Sequence, residues 1–170
     1  GLKVSKDDLY LWADYICNIF MFIRISKYDR SLIKEQKALD KYYCIDNGMR
    51  GAVLMPQSND NGKNLENTVF MQLNRMRLPA DKISYYQGNC ECDFVLQRED
   101  SVIQLIQVTW DMADEGTRER EVKGLLEAAS VTGCENLIII TKDTEDVFVR
   151  DGREIRVIPA WKWLLQNNEK

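Results

Sequence analysis

A chain of 170 residues, 45% hydrophobic and 29% charged, has the size and composition of one medium globular domain, not of a fibre or a disordered tail. It contains no histidine, which excludes Ser-His-Asp and Cys-His catalysis and any His-ligated metal within these residues. Its net charge of −4 exerts no global pull on nucleic acid, so DNA binding would need a local basic patch.

Gly1-Leu2-Lys3-Val4 has neither an initiating Met nor a signal-peptide core, so the chain reads as a piece of a longer protein. Ser5 and Asp8 form a capping-box-like start, and Leu9, Trp12, Ile16 and Phe20 follow at helical spacing, which predicts a helix from about Lys6 to Ile19. Tyr15 to Ile25 is the longest apolar candidate; it is too short for a bilayer and is broken by Asn18 and Arg24. No membrane partner is expected, and the location is read as cytoplasmic. Met21–Ser26 alternates and suits a strand, Ser31–Lys37 reads as a further extended piece, and Lys41–Asp46 reads as a short strand ending in the turn Asp46-Asn47-Gly48. A brief helix or loop runs on to Leu54. The polar run Gln57–Gly62 is the best linker in the sequence. It divides a helix-and-strand lead-in, residues 1–55, from an α/β domain over residues 56–170.

Leu65, Val69, Leu73 and Met76 then predict a helix over Lys63–Arg77, stopped at Pro79. Ile83–Gln87 and Glu91–Leu96 read as a hairpin about Gly88-Asn89, with Val102–Thr109 as the next strand. A helix over Glu115–Val131 ends at Gly133, and Asn136–Thr141 is an apolar run typical of a strand buried on both faces. Strands Asp146–Val149 and Glu154–Val157 flank Asp151-Gly152, and a last helix covers Ala160–Leu165. The order α-β-β-β-α-β from Lys63 onward predicts an α/β fold with a mixed central sheet flanked by helices. The five cysteines read as reduced thiols, because Cys90-x-Cys92 lacks the further ligands a zinc site requires. Trp12, Trp110, Trp161 and Trp163 read as core residues, with interfaces as the alternative.

Polar residues interrupt the apolar strands in a pattern. Asp93 sits between Cys92 and Phe94, where a carboxylate is costly unless paired or ligating. Gln107 and Thr109 lie two apart, on one face of the third strand. Restriction-endonuclease-like folds place an acid on the first core helix, an acid on the second strand and Glu-x-Lys on the third. There the carboxylates hold Mg²⁺ or Mn²⁺ and the Lys positions the nucleophile. This chain resembles that frame with Glu66, Asp93 and Gln107-x-Thr109 in the corresponding places. Glu66, Asp93 and Gln107 are the candidate metal ligands, and Lys123 on the following helix is the candidate replacement for the missing lysine. Each has a plainer reading: Glu66 favours its helix dipole, Gln107 bonds backbone, and Arg118, Arg120 and Lys123, interleaved with Glu119 and Glu121, form a solvated ion-paired face.

Longer motifs carry a second resemblance. Tyr42–Gly48, Lys63–Phe70, Glu91–Val95, Ile106-Gln107-Val108, Arg118–Glu121 running into Gly124–Ala128, and the closing Arg156–Leu165 are together similar to the C-terminal domain of unknown function that follows the ATPase module in many bacterial and archaeal AAA-type ATPases. That resemblance implies a core of the PD-(D/E)XK type and an ATP-binding module upstream. These residues contain no phosphate-binding Gly-x-x-x-x-Gly-Lys loop. Many relatives read Glu-Val-Lys where this chain has Gln107-Val108-Thr109. The expectation is a degenerate nuclease-like module that binds nucleic acid or a partner for its ATPase and is not itself an enzyme. One alternative is a Mg²⁺/Mn²⁺-dependent DNA endonuclease with a modified site. The other is a regulatory or oligomerisation domain that forms a homo-oligomer.

Overall fold

In the computed structural model, residues 4–53 and 60–166 are described. The first helix, α1 (Lys6–Asn18), starts on the expected capping box: Ser5 Oγ accepts from the Asp8 amide while the Asp8 carboxylate accepts from the Ser5 amide. It leads into a two-stranded antiparallel sheet of β1 (Phe22–Ile25) and β2 (Lys41–Cys44). Between these strands, Leu32–Lys37 forms a helix, α2, and not the extended piece its sequence suggests. The Ser31 carbonyl accepts from the amides of Lys34 and Glu35, closing the first turn. The Glu35 carboxylate then takes bonds from Ser26 and Lys82, tying this turn to neighbouring strands. Five of the six residues, all but Ile33, are good helix formers, so local propensity and these tertiary partners agree.

Helix α3 (Asn47–Val53) and helix α4 (Asp60–Met76) follow. Of the expected linker, residues 57–59 lie outside the described residues, while Asn61 and Gly62 belong to the first turn of α4. The six-stranded sheet has the order β3 (Asp81–Gln87), β4 (Glu91–Arg98), β5 (Ser101–Val108), β6 (Leu137–Thr141), β8 (Arg153–Pro159), β7 (Asp146–Arg150). β3, β4 and β5 form an antiparallel meander. β5, β6 and β8 are parallel, and β7 returns antiparallel along the far edge. Helix α5 (Glu115–Thr132) makes the crossover from β5 to β6, and α6 (Ala160–Gln166) closes the described chain. The fold is therefore a mixed α/β sheet flanked by helices.

The local chemistry explains the boundaries. Asp114 caps α5 by accepting the Thr117 amide, and Gly133, at φ 78°, ends it in the left-handed conformation, its N–H bonded to the Ala129 carbonyl. Asp151 and Gly152 both have positive φ, as a two-residue hairpin between β7 and β8 requires. Alternation sorts the strand residues onto two cores. Phe94, Ile106, Val108, Ile138 and Ile140 face α4 and α6, joined by Ile25 and Tyr43 from the two-stranded sheet. Val95, Leu105, Leu137, Ile139, Ile155 and Val157 face α5. β6 is buried along its whole length, as a central strand covered on both faces must be. Of the tryptophans expected in the core, only Trp163 is buried. Trp12, Trp110 and Trp161 are exposed, Trp110 with the Lys142 ammonium over its ring.

Candidate functional site

The site forms where β4 and β5 stop pairing. Their ladder runs from the hairpin up to Phe94–Ile106 and no further. Beyond it two side chains replace the missing backbone bonds. The Asp93 amide donates to Gln107 Oε1 at 3.1 Å, and the Val108 amide donates to Asp93 Oδ2 at 2.9 Å. Gln107 is occupied at its other end too, donating through Nε2 to Glu121 Oε2 at 2.5 Å. An amide suits this position because it must accept from one neighbour and donate to the other, which a carboxylate cannot do.

The splayed strand ends open onto a cavity of about 410 Å³ lined by Glu66, Glu91, Asp93, Gln107, Arg120 and Glu121, among others. Three elements deliver the acids: α4 carries Glu66, β4 carries Glu91 and Asp93, and α5 carries Glu121. The last reaches in because α5 lies almost on the β4 backbone. A Cβ on Gly124 would sit 2.0 Å from the Glu91 carbonyl oxygen.

Among three of these acids, Glu66, Glu91 and Asp93, stands Lys41, from β2. Its ammonium is 3.4 Å from Glu66 Oε1 and 3.4 Å from Asp93 Oδ1, pairs closely with Glu91, and lies 5.4 Å from the centre of the Tyr85 ring. Glu66 is fixed further by the Tyr43 hydroxyl, which donates to it at 2.7 Å. Tyr43 itself stacks on Phe70, with ring centroids 4.2 Å apart. On the α5 side, Arg120 pairs with Glu121.

This packing shifts the titrations. Burial, reinforced by the Glu66 charge, pushes the Asp93 carboxyl up to about 8 against the opposing pull of Lys41 and the Val108 amide. Burial disfavours the charged form of Lys41, but Asp93, Glu66 and Glu91 outweigh it and hold the ammonium protonated to higher pH than usual. Burial, with Glu66 next to it, likewise raises the Tyr43 phenol, which therefore acts as a hydrogen-bond donor and not as a base.

Of the residues singled out by sequence, the structure brings Glu66, Asp93 and Gln107 together. Thr109 is near but turned away: its hydroxyl donates to the Asp111 carbonyl at 3.2 Å, and it does not line the cavity. Lys123 is not brought to the group. It is exposed on α5 and lines a separate groove with Arg118, Phe148 and Arg150, because two residues along a helix turn a side chain from Glu121's direction to roughly the other side. The ion-paired face expected on α5 is present in part, as Arg118–Asp146 and Glu119–Arg150 pairs. Glu121, read as part of that face, is instead buried in the site. Lys41, Glu91 and Glu121 escaped the sequence reading. For Glu121 the signal was available, since one helical turn separates it from Gly124, a residue needed for close approach.

A divalent ion of the kind a nuclease frame implies does not fit these residues as they stand. The position between Glu66, Glu91 and Asp93 is filled by an ammonium group, and Gln107's oxygen is already accepting from the Asp93 amide. Among the described residues, no group of three or more His, Cys, Asp or Glu side chains is disposed to hold a metal ion. Nor, among them, is any helix long and apolar enough to cross a membrane.

No family model matches the chain. In an alignment of 171 positions that covers 96% of the chain, it is 30% identical to an uncharacterized protein of Methanocaldococcus jannaschii. It is 29% identical over 165 residues, 97% of its length, to an uncharacterized protein of Haemophilus influenzae. The chain spans only 37% and 38% of these two curated relatives. Among solved structures it is similar to a chain from a half-complex of the tetradecameric assembly of Thermococcus gammatolerans McrB AAA+ hexamers with bound McrC. That likeness has a TM-score of 0.41 and 14% identity, and covers 64% of this chain and 33% of the other.

Proposed function

We propose that this chain is a restriction-endonuclease-like module of a longer AAA-type ATPase, and that it works by binding nucleic acid without cleaving it. One observation carries the reading: the Lys41 ammonium occupies the position among Glu66, Glu91 and Asp93 where a nuclease of this frame would hold its metal ion. Such an ion would supply a bound hydroxide nucleophile at neutral pH, and an ammonium cannot. The polar groups that remain are already paired: Gln107 with Asp93 and Glu121, and Thr109 with Asp111. The ATPase attachment rests on the motif resemblance and fits the greater length of both curated relatives.

The test is incubation of the protein with supercoiled plasmid and with single-stranded DNA in Mn²⁺, alongside Asp93→Ala. The expected result is no cleavage by either protein. Cleavage by the parent that disappears in Asp93→Ala would refute the reading and establish a metal-dependent nuclease.

A second reading, an assembly module for the ATPase, is favoured by α1 and the turn after it. Leu9, Tyr10, Leu11, Trp12, Tyr15, Ile19 and Phe20 are all exposed there, and α1 buries none of its residues. Large contiguous apolar surface of this kind commonly marks a protein contact. Light scattering separates the readings, since a stable oligomer that shifts no DNA at low salt supports the second against the first.

A further inference from the structure

Beside the acidic cavity, and sharing Glu66 with it, lies a second pocket of about 410 Å³ between the β1–β2 sheet and the helices α3 and α4. Its apolar wall includes Met21, Phe22 and Met49, all partly buried. None of the three belongs to, or packs against, either hydrophobic core. Its cationic wall includes Lys63 and Arg50, whose guanidinium also donates to Asn64 Oδ1. Lys41 and Glu66 also reach the pocket, but each is committed to the neighbouring ion cluster. An apolar pocket with cationic groups on its wall suits a ligand that joins a planar ring to an anion.

We infer that this pocket seats one unstacked nucleotide of a single-stranded nucleic acid, its base against Phe22, Met21 and Met49 and its phosphate toward Lys63 and Arg50. The inference rests on the nucleic-acid-binding reading above and names the site and the ligand class. The volume lies within the range of roughly 300–1,000 Å³ typical of small-ligand pockets. It suits a base already out of a duplex, since a paired base would first have to be flipped. The overall charge opposes nucleic acid, so affinity rests on these local cations and falls steeply with salt.

The pocket also has few means to tell bases apart. Tyr43 and Asn67, two of the groups that could read a base edge, are already used. Tyr43's hydroxyl donates to Glu66. Asn67 accepts from the Cys44 amide and donates to the Cys44 carbonyl and to Asn47. What remains is ring contact and charge, which every base satisfies. Binding is therefore tolerant of sequence and selective for single strands.

The experiment is fluorescence anisotropy with labelled dT, dA and rU oligomers of about 12 nucleotides, within the site sizes usual for single-strand binding, and with a duplex of equal length. Parent, Phe22→Ala and Lys63→Glu are compared across a salt series. The inference expects dT and dA to bind within about threefold of each other, with the duplex weaker. It expects Phe22→Ala to weaken single-strand binding about tenfold, as loss of one base–aromatic contact should. Lys63→Glu should weaken all sequences alike and reduce the salt slope by about one. Lys63 is exposed, so that variant tests the pocket even if Phe22→Ala does not fold. Parent-like binding by the folded variants would place the nucleic acid elsewhere, overturning this pocket while leaving the binding reading intact. Absence of binding to any oligomer by the parent would overturn both. Cleavage in Mn²⁺ with the pocket variants still impaired would overturn only the non-cleaving part of the proposed function. An rU preference beyond threefold would assign the pocket to RNA.

Discussion

Replacing Lys41 by Met keeps most of the side-chain volume and removes the charge on which Glu66, Glu91 and Asp93 converge. Each of its two 3.4 Å contacts corresponds to a gross attraction of about 5 kcal/mol at an effective dielectric of about 20. Much of that is offset by desolvation, and removing one partner of a buried pair typically costs about 3–5 kcal/mol net. Lys41 is 25% exposed and Glu66 23%, so the lower end, about 3 kcal/mol, is expected. The loss should grow with pH. Without the ammonium the folded protein holds more protons on its carboxyls than the parent does, and stability falls with rising pH wherever the native state binds more protons than the unfolded chain. Urea denaturation at mildly acidic and mildly alkaline pH measures this directly. Unchanged stability in Lys41→Met at alkaline pH would refute the view that the ammonium serves as the site's cation.

Three other outcomes follow from particular contacts. The Asp93 carboxyl has its folded pKa raised to about 8 from an unfolded value near 4. Its contribution to stability is therefore complete below about pH 4 and is lost as pH rises toward about 8. Asp93→Asn should flatten the pH–stability profile in that window, by up to about 1.4 kcal/mol per pH unit; a profile as steep as the parent's would assign the slope to another group. Gln107→Glu keeps the side-chain size but cannot donate to Glu121. It should cost about 1–3 kcal/mol, measured by urea at neutral pH, and a neutral result would mean the amide bridge is dispensable. Gly124→Ala improves helix propensity yet would drive a Cβ to 2.0 Å from the Glu91 carbonyl oxygen. Overpacking against backbone should win, lowering stability by about 1–3 kcal/mol; a stabilised variant would show that α5 can shift away from β4 at no cost.

The sheet was legible because its signals are local. Hydrophobic runs of strand length, the Asp151-Gly152 turn and the Gly133 stop each act within a few residues, and each appears where the sequence puts it. The α2 segment was read as extended although Leu32–Lys37 is made mostly of good helix formers, a local signal that outweighs Ile33. For the tryptophans no local signal exists: a ring's preference for burial does not say whether its face meets another element, so buried Trp163 and exposed Trp161 look alike in sequence.

The site was half legible, and the division has a physical cause. Asp93 and Gln107 stand out because a polar group in an apolar strand needs a partner, and the partner each finds is the other's residue or its neighbour. Lys41 gives no such sign. It begins a short strand next to Asp40, where a lysine looks like ordinary surface, and its meaning comes only from the distance between β2 and the splayed end of β4. A search confined to the strands and helices of the nuclease frame will look for a replacement cation on α5, where Lys123 is exposed on the wrong side of the helix. The lead-in, set apart by sequence as a preface to the domain, supplies the ammonium that pairs with Glu66, Glu91 and Asp93. A fragment beginning at α4 would carry these acids of the cavity without their counter-ion.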